Sequence, residues 1–373
     1  MRTRAAIGYQ QPGGVPQADS EWLTMNTLVD KIRRGDRHLL AKAMSLVDRP
    51  GPQADGLKDE LRRVTGQVPW WGFTGPPGVG KSTLIDTLLS TLRERGRRIG
   101  VVAIDPTSPM SDGALLGDRV RMMRHAVDRD VFIRSLATHH REGGLSDAAL
   151  HCGRLLELAA YDPVLIETVG VGQNEVDVAS VADICVVLLG PGYGDDIQLI
   201  KAGLLEIAHV VVVNKCDLPG ADRLLKEVRQ ELASSTPRHA RTRKSPRLRQ
   251  SKNPQGAISA DEKPRTTPTI FGIEAKSGKG VDQLLEKLFE LDHAARDAKR
   301  RQQRCDSRVL GEMKRSAMRL YEQSLDKALD ATAAGDLVDK LRRGELSLDA
   351  VIGQLAGTAL DDLRRNSDDE EET

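Results

Sequence analysis

The chain has 373 residues, 55 Lys and Arg against 54 Asp and Glu, and a formal net charge of +1. Near-neutral bulk charge gives no reason to expect a nucleic-acid or membrane-surface partner, and no apolar run reaches the roughly 20 residues that span a bilayer. No apolar signal core is read at the N-terminus, and the four cysteines, Cys152, Cys185, Cys216 and Cys305, lie far apart in apolar or helical patterns, as expected of reduced thiols in a cytoplasmic protein.

Residues 1 to 20 are rich in Gly, Pro and Gln and are expected to be loose, and the helical period of Trp22 to Val47 breaks at Arg34-Gly35-Asp36. Strand-like runs at 70–74, 99–104, 131–135, 163–167, 184–189, 209–213 and 268–273 alternate with helical patterns at 81–95, 144–160, 195–206 and 281–298. The alternation predicts an α/β fold, a mainly parallel sheet flanked by helices, and several strands are continuous apolar runs, as two-sided burial requires. Farther on, 293–333 reads as a long amphipathic helix, Leu337 to Leu355 as one or two short ones, and the acidic run Asp368 to Glu372 as a solvated tail without structure. The expected organisation is a loose 1–20, a helical extension 21–66, a nucleotide domain 67–292, a C-terminal helical region 293–365 and an acidic tail 366–373. Ser234 to Thr267 interrupts the nucleotide domain with nine Lys and Arg against Asp261 and Glu262. So little apolar surface cannot offset ordering entropy, and no aromatics are interleaved, so it reads as a disordered surface loop rather than a nucleic-acid tether.

The most specific motif is Gly75-Pro76-Pro77-Gly78-Val79-Gly80-Lys81-Ser82, followed by Thr83, between a strand and a helix. It has the form G-x-x-x-x-G-K-[ST], in which glycines let backbone N–H groups curl around phosphates, the lysine reaches the β- and γ-phosphates, and the serine hydroxyl ligates Mg²⁺. Asn214-Lys215-Cys216-Asp217 closes another strand in the form N-K-x-D. The Asp217 carboxylate can accept from the N1–H and exocyclic amine of guanine, a donor pair that adenine lacks. Glu274-Ala275-Lys276 stands where a backbone contact to the guanine oxygen is expected. Between these anchors a strand ends at Glu167 and passes into a glycine-rich turn through Gly170 and Gln173. A carboxylate there faces the crevice where open α/β sheets bind ligands. Glu167 is thus a candidate for the magnesium shell, and the Gly170 N–H for sensing the γ-phosphate. Asp105 and Asp118 read either as magnesium ligands or as a turn carboxylate before proline and a helix cap.

These motifs, with 103–109, 116–122, Phe132-Ile133-Arg134-Ser135 and 167–175, resemble the MeaB/ArgK group of P-loop GTPases, which assist adenosylcobalamin-dependent methylmalonyl-CoA mutases; the likeness runs from about Thr27 to Leu291. The resemblance implies a mutase partner, a homodimer formed through the C-terminal helices, and an extra switch over 191–203 in which Asp195 and Lys201 carry the family's contacts. Two segments depart from the family pattern. Thr138 to Gly144 stands where members carry an Arg-Gly-His-like stretch, and Asp195-Asp196 replaces Asp-Glu.

The expected chemistry is hydrolysis of GTP to GDP and phosphate with Mg²⁺, driven by positioning and electrostatics. Lys81 and the loop amides stabilise transferring charge, while Ser82, Asp105 and Glu167 place the metal. Gln173 reads either as the residue that orients water or as a surface glutamine; His139 and His140 read as solvated or as contributors in a closed state. The alternatives are a metallochaperone GTPase, against which stands the lack of a C-x-x-C or C-x-C motif, and a kinase or transport ATPase, against which stands the guanine motif.

Overall fold

Apolar strands demand cover on both faces, and the arrangement of helices follows from that demand. The computed structural model describes residues 25–48, 51–64, 66, 68–106, 122–138, 144–168, 178, 181–192, 204–235, 267–295, 298–331 and 334–371. Seven strands, β1 (Trp70–Thr74), β2 (Ile99–Pro106), β3 (Val131–Thr138), β4 (Val164–Glu167), β5 (Ile184–Leu189), β6 (Val210–Val213) and β7 (Thr269–Gly272), form one sheet in the order β3-β2-β4-β1-β5-β6-β7. Every pairing is parallel. β1, β4, β5 and β6 are buried throughout.

Three short helices, α1 (Met25–Arg33), α2 (Arg37–Val47) and α3 (Pro52–Arg62), precede the sheet. The expected break between the first two is a turn with Gly35 at φ 92°, after which the Asp36 carboxylate caps α2 by accepting from the Leu39 N–H at 3.0 Å. α4 (Lys81–Glu94) and α7 (Val281–Ala295) cover one face of the sheet, burying Leu84, Ile85 and Leu88 with Leu284, Leu285 and Leu288. The other face takes α5 (Gly144–Leu158), α6 (Ala221–Ser235) and α2, through Leu150, Leu155, Leu224, Val228, Leu40 and Met44. Successive residues of β1 point oppositely, so Trp70 joins the second core and Trp71 the first, both fully buried. Trp70 needs Gly153 in α5, where a Cβ would lie 2.4 Å from the indole ring. Burial raises the Cys152 and Cys185 thiols to about 12, as inert core groups.

The chain ends in α8 (Ala298–Ala331), α9 (Ala334–Arg342) and α10 (Leu348–Glu371), with α8 packed along α10. The acidic run 368–372 was expected to lack structure, but α10 continues through Glu371. No Gly or Pro follows Gly357 to stop a helix already held against α8. Of the predicted helix over 195–206, residues 195–203 lie outside the described residues, and Leu204–Glu206 forms a 3₁₀ turn. Residues 1–20 and 236–266 lie outside the described residues.

Charge, rather than apolar area, docks α8 on the body. Arg308, Glu312, Arg315 and Arg319 recur at the spacing of one helix face. Arg308 meets Asp183 at 2.8 Å and stacks on Trp70, its guanidinium carbon 3.8 Å from the ring centroid. Glu312, 4 % exposed, takes Arg154 of α5 at 2.8 Å and Arg62 of α3 at 2.8 Å, with His151 at 3.4 Å. Arg315 and Arg319 both hold Asp147.

Removing the shared carboxylate strands buried Arg154 without its partner. Glu312→Ala should therefore cost on the order of 3–5 kcal/mol, read from the urea midpoint against Glu312→Gln as the milder change. Burial, with the neighbouring Arg154 charge, lowers His151 from 6.5 to about 3. Between those values only the unfolded chain takes up the proton, so the His151 contribution is complete above pH 6.5 and declines as pH falls toward 3. His151→Gln should flatten the dependence of unfolding free energy on pH across that window, which chemical denaturation at a series of pH values measures.

Candidate functional site

The site gathers at the C-terminal ends of β1, β4, β6 and β7, the edge where parallel α/β sheets bind ligands. β1 ends at Thr74, and residues 75–80 turn directly into α4. Gly75, Gly78 and Gly80 have φ of 145°, 76° and 101°. At Gly75 a Cβ would fall 2.2 Å from the Leu188 carbonyl oxygen, and at Gly80 2.5 Å from Asn214 Nδ2. Glycine is thus required by space as well as by conformation. Lys81 folds back over the loop and donates to the Gly75 and Pro76 carbonyls at 2.7 and 3.1 Å. One residue on, buried Ser82 donates from Oγ to Oε1 of buried Glu167 at 2.7 Å.

The N-K-x-D segment is fastened to this loop. The Asn214 side chain, buried, donates from Nδ2 to the Val79 carbonyl at 2.9 Å and accepts the Ala275 N–H on Oδ1 at 3.0 Å. Lys215 takes a positive φ of 58° and donates from Nζ to the Gly78 carbonyl at 2.8 Å. Asp217, beyond it, is exposed. The segment 274–276 lies in a turn closed by an antiparallel bridge between Glu274 and Lys279. The Glu274 carboxylate accepts from Lys279 Nζ at 2.6 Å and from Ser277 Oγ at 3.1 Å, and these bonds, Lys279 first, lower its pKa. Its side chain therefore staples the turn, whereas Lys276 is exposed.

Of the residues singled out from sequence, Gly75 to Thr83, Glu167, Asn214, Lys215, Asp217 and 274–276 stand along this edge. Asp105 is the penultimate residue of β2, two strands from the phosphate-loop strand, paired through its backbone with Ala137; its side chain lies outside the described residues. Asp118, Gly170, Gln173, Asp195 and Lys201 also lie outside them, as do His139 and His140. The sequence reading missed Thr87, whose Oγ1 lies 2.8 Å from the Ala275 carbonyl oxygen. No motif marks a threonine two turns into a helix.

The residues fit the groups their motifs imply. The positive-φ glycines turn the backbone between β1 and the start of α4, the loop form whose N–H groups cradle phosphate oxygens. A hydroxyl and a carboxylate 2.7 Å apart are the hard oxygen donors that Mg²⁺ prefers.

Comparison with known proteins agrees with the geometry. The family model described as methylmalonyl Co-A mutase-associated GTPase MeaB matches residues 40–331. A Pyrococcus horikoshii protein named as a GTPase is 38% identical over 329 residues, covering 84% of this chain and 97% of the relative. The mouse methylmalonic aciduria type A homolog, mitochondrial, is 32% identical over 293 residues, 74% of this chain and 65% of its own length. A crystal structure of an LAO/AO transport system kinase is similar at a TM-score of 0.62 and 26% identity, covering 90% of this chain and 97% of that one. Among the described residues no helix is long and apolar enough to cross a membrane.

Gly80→Ala drives a methyl group into Asn214 in a backbone conformation that disfavours alanine. It should lower the melting temperature by several degrees, equivalent to about 1–3 kcal/mol, and weaken binding of a fluorescent guanine nucleotide; a calorimetric scan and a titration check both.

Proposed function

Because this chain belongs to the MeaB family of GTPases, we propose that it is a G-protein chaperone, gating cobalamin loading or protection of an adenosylcobalamin-dependent acyl-CoA mutase such as methylmalonyl-CoA mutase. The observation that carries the guanine-nucleotide part is the Asn214 amide, which ties the phosphate loop to the turn expected to meet the base. Asp217 accepts from the guanine N1–H and amine. The loop amides and Lys81 hold the phosphates, Lys81 exchanging its two carbonyl acceptors for phosphate oxygens. Ser82 and Glu167 hold the metal, with Asp105 and Asp118 as further oxygen donors. When bound there, Mg²⁺ would supply neutralisation of the charge on the transferring phosphoryl group. Gly170 and Gln173 are assigned to γ-phosphate sensing and water orientation, and Asp195 and Lys201 to the switch toward the partner.

The mutase assignment rests on the family description and on the likeness to the methylmalonic aciduria protein. A homodimer is supported by apolar side chains left exposed on the C-terminal helices, Leu310, Met313 and Leu320 on α8 and Ile352 and Leu360 on α10. A cytoplasmic location is part of the same proposal.

Lys81→Ala should reduce GTP hydrolysis by about 10²–10³-fold with an unchanged melting temperature; retained turnover would overturn the phosphate-loop assignment. Asp217→Asn should weaken GTP about 10–100-fold and improve xanthosine triphosphate, measured by competition binding. Coupling between ligands is reciprocal, so a cobalamin-dependent mutase from the same genome should shift the affinity for a non-hydrolysable GTP analogue. No shift in calorimetry would remove the mutase as partner while leaving the GTPase.

A further inference from the structure

The Ala275 residue is held on both sides. Its N–H is given to Asn214 Oδ1 at 3.0 Å, and its carbonyl faces the Thr87 hydroxyl of α4 at 2.8 Å. Thr87 Oγ1 also lies 3.0 Å from the Thr83 carbonyl one turn back, so its single hydrogen has two acceptors in range and the shorter distance is to Ala275. Ala275 itself is 2% exposed. The contacts close a ring: Val79 to Asn214, Asn214 to Ala275, Ala275 to Thr87, and back along α4 to Lys81.

The Ala275 N–H is already used within the chain, so it is not the donor left for a base oxygen in this arrangement. The next N–H, that of Lys276, has no acceptor among the described residues. It belongs to the same peptide unit as the Ala275 carbonyl. In a trans peptide the carbonyl and the N–H point in opposite directions, so fixing the carbonyl toward α4 aims the Lys276 N–H away from α4.

We infer that Thr87 is a positioning residue for base selection: its hydroxyl sets the Ala275–Lys276 peptide so that the Lys276 N–H is presented to the 6-oxo group of guanine. This rests on the guanine-nucleotide reading above. Thr87 touches neither base nor phosphate in this scheme and acts through the peptide it holds.

The test compares GDP with 6-thio-GDP, which keeps the N1–H and the amine but replaces the oxygen acceptor by a weak sulfur one. Thr87→Val, nearly isosteric, should lower GDP affinity roughly three- to tenfold, the worth of one misaligned hydrogen bond. Affinity for 6-thio-GDP should stay within about twofold, and Thr87→Ser should restore the GDP preference. Equal losses for both nucleotides, or no rescue by serine, would make Thr87 a packing residue and overturn the inference. Thermal melting of each variant identifies loss of fold, and Thr87→Ser, which keeps the hydroxyl, decides the matter if valine is not tolerated. A wild-type protein that binds GDP no better than ADP would instead sink the guanine reading, and this inference with it.

Discussion

One buried side-chain amide sets the distance between the two halves of the site. Asn214 spends its donor on the phosphate loop and its acceptor on the turn after β7. Neither bond is strong in net terms, about 1 kcal/mol each, yet leaving either buried partner unmet costs about 1–3 kcal/mol. The backbone cooperates. Gly80 leaves the space that the amide occupies, Lys215 turns through a positive φ to reach the Gly78 carbonyl, and Cys216 donates its N–H to Ile273. The phosphate loop and the turn after β7 are thus joined through a single buried side chain.

The position of the phosphate loop follows from the strand order. β1 lies between β4 and β5, so the loop leaving it has Glu167 on one side and the end of β5 on the other. Glu167 reaches Ser82 because β4 and β1 are parallel neighbours in register, with Phe73 opposite Glu167. Two residues 85 apart in sequence meet at 2.7 Å through a register set by apolar pairs that have no chemical role of their own.

Much of this was legible from residue order. Alternation of strand-like runs with helical periods gave all seven strands and the parallel sheet, and two-sided burial marked β1, β4, β5 and β6 by continuous apolar composition. The glycines and the Lys-Ser pair identified the phosphate loop because few other sequences supply that backbone freedom with a cation. Pattern could not reveal side-chain bonds across long separations: Thr87 to Ala275 and Arg154 to Glu312 are ordinary residues in ordinary helices until the fold juxtaposes them. Glu274 shows the converse. Its segment was read for a backbone contact to the base, and pattern said nothing of its carboxylate, which accepts from Lys279 and closes the turn. The acidic end of α10 was misread because local charge argued against order, while continuity with a packed helix argued for it.

The seam between α5 and α8 is a different kind of construction from the sheet. Along α5, Asp147, His151, Arg154 and Glu157 present successive polar groups, and α8 answers with Arg319 and Arg315, then Glu312, then Arg308. No α8 residue belongs to either apolar core cluster of the described residues. Apolar burial is non-directional and tolerates sliding, but a ladder of alternating charge does not: moving α8 by one turn would set Arg315 where Glu312 now sits, against Arg154. Such a shift would exchange attraction for repulsion in a low-dielectric seam, where buried unpaired charge is most costly. The charges therefore contribute register more than net stability. They fix where the C-terminal helices stand relative to a sheet whose opposite face carries α4 and its phosphate loop.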